Sequence, residues 1–240
     1  MPHGWPDYFM TLPKENIYGT TDVLELLARL KMLSPGLRRG NIFWIDFFEI
    51  VGGTWNYSFL YHTPQLYRTI TNPAFGVTHP YFKWSYPGIG WVKFETETLM
   101  PPATTVAIEC YFASDTFLNS FTIGYYLKGE KYTYYYEFNV NITLDAFKWR
   151  KSKDEYIIEQ KHEQAHLFTE HPRYIRLGFD ISKNKYTYVV LNSNIHIAPD
   201  FEVIPERRND YNVATFTFTY VSTAYSPGFA PLCAAIYIND

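Results

Sequence analysis

From Asn41 onward the chain alternates between apolar and polar residues with a period of two. In WVKFETETL, Trp91 and Phe94 are punctuated by Lys93, Glu95 and Glu97, and in TFTFTY the threonines and aromatics take opposite faces. The same pattern runs through NIFWIDFFEI, WNYSFLYH, TTVAIECYFA, FTIGYYL, KYTYYYEFNVNI, RYIRLGFDI, KYTYVVLN, NVATFTFTYVST and CAAIYIND. Gly, Pro, Asn and Asp clusters separate these segments. About ten antiparallel strands with short connections and no intervening helices predict an all-β, two-sheet antiparallel sandwich over residues 41–240.

Residues 1–40 read differently. Pro2, Pro6 and Pro13 mark an extended arm, and TTDVLELLARLKMLSPG then changes to helical spacing, with Val23, Leu26, Leu27, Leu30 and Leu33 on one face. Asp22 serves as N-cap with Glu25 three residues on, and Ser34-Pro35-Gly36 ends the helix. So short an amphipathic helix is marginal alone. Its leucine face must therefore be buried, on the sandwich or on another subunit, which makes self-association an expected property.

Composition narrows the function classes. Aromatics are 20% of the 240 residues and charged residues only 19%, which favours packed, half-buried strands over disorder. A net charge of −3 with no long run of either sign excludes the electrostatic footprint of a nucleic-acid binder. The sequence shows neither a secretory signal nor an uninterrupted apolar run long enough for a membrane span, so a soluble protein is expected. Two cysteines, Cys110 and Cys233, lack metal-ligand spacing and read as buried thiols, with pairing between them left open.

Candidate chemistry is sparse. His162-Glu163-Gln164-Ala165-His166 fits H-E-x-x-H, in which two histidines on one helical face bind zinc. Asp154 to Glu170 could supply such a helix, but Pro172 closes the segment, and His171 does not stand at the interval a third ligand needs. In Trp44-Ile45-Asp46-Phe47-Phe48-Glu49 the carboxylates suggest a glycosidase strand, yet Trp44 occupies the nucleophile's place. Asp115, Asn119, Asn209 and Asp210 are loop oxygens available to calcium, with no spacing that singles out a site. No catalytic residue, metal site or cofactor is expected. The aromatic cluster Tyr81, Trp84, Tyr86 and Trp91 could stack on sugar rings, contact another subunit or cap the core. Tyr132, Tyr134, Tyr135 and Tyr136 place rings on both faces of a single strand.

Two stretches resemble concanavalin A-like lectin and laminin-G-like jelly rolls. In RYIRLGFDISKNKYTYVVLNSNIHI an apolar strand ends in Asp180, a polar turn runs from Ser182 to Lys185, and a strand led by Tyr186 reaches Asn192. LRRGNIFWIDFFEIVGGTWNYS, through Asp46, Phe48, Glu49, Gly52 and Trp55, is similar to the first strand of such modules, and CAAIYIND to a closing strand that returns beside it. An arm and helix leading through an Arg-Arg-Gly step into a jelly roll also looks like capsid-associated proteins of tailed or thermophilic viruses. That resemblance implies a non-enzymatic structural protein of the virion, a capsid decoration component partnered by itself or by capsid protein. The alternative is a carbohydrate-binding lectin-like module with glycan partners, and a third reading is a metal-dependent hydrolase at the His162–His166 segment.

Overall fold

A computed structural model describes residues 40–46, 55–59, 65–68, 80–83, 90–114, 118–161, 173–192, 194–207, 212–222 and 228–240. The expected arm and helix of residues 1–39 lie outside the described residues. The described chain is all β, in two antiparallel sheets that form a sandwich of jelly-roll type, as the alternation predicts.

Strands β1 (Asn41–Asp46), β3 (Gln65–Arg68), β4 (Pro80–Lys83), β6 (Thr105–Ser114), β11 (Arg173–Asp180), β12 (Lys185–Leu191), β13 (Asn194–Ile197) and β16 (Gly228–Ile238) make sheet I. Its order is β13-β12-β11-β6-β16-β4-β3, with β1 also pairing β16. Sheet II contains β2 (Asn56–Phe59), β5 (Gly90–Thr98), β7 (Leu118–Lys128), β8 (Tyr132–Asn141), β9 (Ala146–Arg150), β10 (Tyr156–Gln160), β14 (Glu206–Arg207) and β15 (Val213–Ser222). It runs β10-β9-β8-β7-β15-β5-β2, with β14 on β8. The closing strand does return beside the first: Ile42 faces Tyr237 and Ile45 faces Ala235.

There are more strands than the ten expected, because short segments pair at the sheet margins. Tyr156–Gln160, part of the stretch that could have been helical, is a strand on β9, where Tyr156 faces Arg150 and Ile158 faces Lys148. A cross-strand ladder satisfies its backbone where an isolated helical turn would not.

Period-two alternation sends one face of every long strand into a single core. Phe112 of β6 stacks on Phe121 of β7 at 4.2 Å, and Tyr136 of β8 on Phe179 of β11 at 4.2 Å, so rings from the two sheets interleave. Trp44 packs edge-on to Trp55 at 5.8 Å and Phe216 at 6.0 Å, a core role that explains the aromatic residue where a nucleophile would stand. Cys110 and Cys233 are free and buried. They lie on neighbouring strands but on opposite faces: Cys110 joins the core between the sheets, and Cys233, next to the core residue Ala234, faces the other way.

The Asp180 turn forms as its sequence suggests. Asp180 accepts hydrogen bonds from the Ser182 hydroxyl (2.6 Å) and from the Ser182 and Lys183 amides (2.9 and 3.2 Å), and Asn184 takes a left-handed φ of 54°. Burial pushes this carboxyl up, but the Ser182 hydroxyl, the Lys183 ammonium 3.1 Å away and the Lys183 amide outweigh it and hold it below its ordinary range.

The outer face of sheet I is buried around Glu109 and Arg176. Glu109 accepts hydrogen bonds from Tyr174 and Tyr237, both at 2.9 Å, and Arg176 lies 3.5 Å from the same carboxylate. Arg176 also bonds Tyr188 Oη (3.1 Å) and pairs with Asp240, and its guanidinium stacks under the Tyr237 ring at 4.1 Å. Gly178 makes this packing possible, because a Cβ there would come within 2.5 Å of the Tyr188 ring and 2.7 Å of Thr187 Oγ1. Gly178→Ala should therefore push Tyr188 off Arg176 and cost roughly 1–3 kcal/mol. Urea denaturation checks it, and an unchanged midpoint would show that the ring is free to move.

Candidate functional site

The outer face of sheet II carries the candidate site. Its central strands present small side chains: Thr215, Thr217 and Thr219 on β15, and Ser120, Thr122 and Gly124 on β7. Gly124 leaves room for Tyr126 to fold back over it, since a Cβ would meet the Tyr126 ring at 3.2 Å and Thr217 Cγ2 at 3.1 Å. From β5 on the far side of β15, Lys93 reaches to 5.8 Å from the centre of that ring and pairs with Glu95 at 2.6 Å. Beneath this diagonal the Thr215 and Thr217 hydroxyls are buried without a hydrogen-bond partner among the described residues.

Beside it stands a cluster from β7, β8, β9 and β10. Register aligns Gly124 with Glu137 and Tyr156 with Arg150, which gathers Tyr126, Tyr135, Glu137, Arg150 and Tyr156 on one face. Glu137 accepts hydrogen bonds from Tyr126 Oη, from Tyr156 Oη (2.7 Å) and from Arg150 Nη1 (3.0 Å). The Arg150 guanidinium lies 4.6, 5.6 and 5.9 Å from the ring centres of Tyr135, Tyr156 and Tyr126. Two further donors, Nε and Nη2, bond the Ser152 and Lys153 carbonyls at 3.1 and 2.6 Å. Tyr135 donates to Glu206 (2.8 Å), which also pairs with Lys153 (2.8 Å).

Electrostatics hold this cluster in one protonation state. Burial first, and then the Glu137 carboxylate, push the Tyr126 and Tyr156 phenols well above their ordinary range, so both are neutral donors at all physiological pH. Burial works against the Arg150 charge, yet the Glu137 carboxylate beside it more than compensates and keeps it protonated. With three donors already on Glu137, the arrangement fixes ring faces and hydroxyl directions, which suits binding better than proton transfer.

The cluster is tied to sheet I by one residue. Tyr186 of β12 crosses the core, accepts a hydrogen bond from the Glu137 amide (2.7 Å) and donates to the Arg150 carbonyl (2.8 Å). The β8–β9 ladder is paired from Asn141 and Ala146 to Phe138 and Trp149, and the Tyr186 hydroxyl bridges the next position.

Of the aromatic residues singled out in the sequence, Trp91 lies on the outer face of sheet II, opposite Val221 and six residues along β5 from Glu97, the position in register with Tyr126. Tyr81 is on β4 of sheet I, and Trp84 and Tyr86 lie outside the described residues. In the tyrosine-rich strand β8, Tyr136 is in the core with Tyr134 against it, Tyr135 belongs to the site, and Tyr132 is exposed. His162, His166 and His171 lie outside the described residues, as do Glu49, Asp115, Asn209, Asp210 and the five residues of the leucine face. Asn119 is described, and its side-chain oxygen accepts a hydrogen bond from Thr143. Among the described residues no group of three or more His, Cys, Asp or Glu is placed to hold a metal ion, and no helix is long and apolar enough to cross a membrane.

The residues missed in the sequence are Tyr126, Glu137, Arg150 and Tyr156. Glu137 and Tyr126 were legible as outward positions of alternating strands. Arg150 and Tyr156 required the β9–β10 register, which joins two five-residue strands.

No protein-family model matches this chain, and neither does any curated protein sequence. Solved structures do align with it, at low similarity. The carbohydrate recognition domain of Emp47p aligns at 8% identity and a TM-score of 0.46, over 81% of this chain and 94% of that one. A legume lectin-like domain from Entamoeba histolytica aligns at 9% and 0.43, over 76% and 90%. The binding domain of botulinum neurotoxin DC, in complex with SialylT, aligns at 10% and 0.40, over 77% and 43%. No residue role is carried over from these structures.

Proposed function

We propose that this protein is a non-catalytic, lectin-like glycan-binding module whose ligand surface is the outer face of sheet II. The carrying observation is the tyrosine cluster around Glu137 and Arg150, in which three rings are pre-set by hydrogen bonds and by a guanidinium at 4.6–5.9 Å. Sugars present C–H faces that pack on aromatic rings, and the Tyr156 ring, open at the edge of the cluster, is held for such a contact by its hydrogen bond to Glu137. Trp91, on the same face, gives a second aromatic position for an extended chain of sugar units. Assembly in a virion is the reading that rests on Val23, Leu26, Leu27, Leu30 and Leu33, outside the described residues. The glycan reading has described side chains behind it.

The test is a glycan array followed by titration of the retained glycans against variants. Tyr156→Ala removes a half-exposed ring at the edge of the cluster and should weaken binding about tenfold, equivalent to ~1.4 kcal/mol. Ile197→Ser, an exposed site on sheet I, should leave affinity unchanged. Failure to retain any glycan, or equal affinity in wild type and Tyr156→Ala, would remove this function from the face.

A further inference from the structure

We propose that the glycan bound by the outer face of sheet II, a reading this inference rests on, is anionic: the Lys148 ammonium seats its carboxylate or sulfate while the sugar ring stacks on Tyr156. Lys148 lies on β9 between the core residues Phe147 and Trp149, so its side chain leaves on the outer face. Register sets it opposite Asn139 of β8 on one side and Ile158 of β10 on the other, two residues along the strand from Arg150. It is only partly exposed, yet it makes no ion pair and no hydrogen bond among the described residues.

The carboxylates around Lys148 are committed elsewhere. Glu137, beside it in register, holds Arg150 at 3.0 Å and the hydroxyls of Tyr126 and Tyr156. Glu95 is paired with Lys93 at 2.6 Å. Glu97 is exposed, but it stands on β5, four strands from β9 and so about 19 Å across the sheet. Ring and cation are within reach of one sugar unit. Tyr156 faces Arg150, which makes Lys148 its diagonal neighbour on the same face, about 7–8 Å away. Asn139 completes the seat: its amide nitrogen donates to Thr122 Oγ1 (2.8 Å) and to the Phe121 carbonyl (3.4 Å). Its Oδ1 accepts no hydrogen bond among the described residues, so it can take a sugar hydroxyl beside the acid group. A neutral glycan would cover the Lys148 charge without pairing it, at a cost in affinity, whereas an acidic one pairs it.

The test uses the full chain on an array of carboxylated and sulfated glycans beside their carboxyl-reduced and desulfated counterparts, followed by titration of the retained pairs. Wild type should bind the acidic member about tenfold more tightly than its neutral counterpart, and high salt should shrink that ratio. Whether carboxylated or sulfated members are retained identifies the acid group. Lys148→Gln should abolish the preference while the neutral member binds no less tightly, and Lys148→Arg should keep it. Lys128 of β7, also without an ion pair among the described residues, faces Thr133 and Val213 on the same side of the sheet. Lys128→Gln should leave the preference intact. Equal affinity for acidic and neutral members, or the same loss of preference in Lys148→Gln and Lys128→Gln, would overturn the proposal. Neutral members that bind without an acid preference and weaken in Tyr156→Ala would overturn the anionic ligand alone. Retention of no glycan would overturn the glycan reading with it.

Discussion

Arg176→Leu is expected to lower the unfolding free energy by about 3–5 kcal/mol, the range found when one partner of a buried ion pair is deleted. The guanidinium is fully buried, and the Glu109 and Asp240 carboxylates that it separates are each only 3% exposed. Without it, two like charges remain close together and out of water, and the hydrogen-bonding tyrosines Tyr174, Tyr188 and Tyr237 cannot neutralise them. Burial works against the Arg176 charge, but Tyr188, Tyr174, Asp240 and Glu109 together raise its pKa, so the site is built for a cation. Glu109→Gln in the Arg176→Leu background should recover part of the loss by removing one of the stranded charges. Urea denaturation of the three proteins decides the matter. A loss below about 1 kcal/mol for Arg176→Leu would mean that water reaches these groups.

Tyr186→Phe should cost about 1–3 kcal/mol and, unlike Arg176→Leu, should damage binding as well. Its hydroxyl is the partner of the Glu137 amide and the Arg150 carbonyl. Deleting one oxygen leaves both backbone groups unsatisfied in an apolar core, at the point where the strands bearing Glu137 and Arg150 are paired. The ring survives, so the packing against Tyr136 and Trp149 at 5.7 and 5.4 Å is kept and the effect reads the hydroxyl alone. Glycan affinity should drop more in Tyr186→Phe than in a variant of equal stability loss in sheet I, such as Gly178→Ala. Equal affinities in those two variants would separate Tyr186 from the site.

Much of this molecule is written in its alternation. The period-two segments give the strands, and the strand led by Tyr186 and the turn at Asp180 form where their sequence places them. Trp44 stands in the sequence where a glycosidase strand would carry its nucleophile, and in the structure it packs against Trp55 and Phe216. The proposed binding face is less legible because it depends on register. Nothing in AFKWR or YIIEQ says that Arg150 and Tyr156 will be neighbours until β9 and β10 are aligned. The Arg176 network was hidden for another reason. In RYIRLGFD an arginine between apolar residues looks solvent-facing, and whether an outward position is wet depends on what covers the sheet, which alternation cannot report.

Strand β16 has a consequence for how the molecule is made. It lies inside sheet I, bonded to β6 on one side and to β1 and β4 on the other. Those partners leave the ribosome well before Gly228–Ile238 does, and they must wait with open backbone edges until it arrives. Sheet I therefore cannot close until β16 is made, and it does so through contacts far apart along the chain, which makes acquisition of the native state slow.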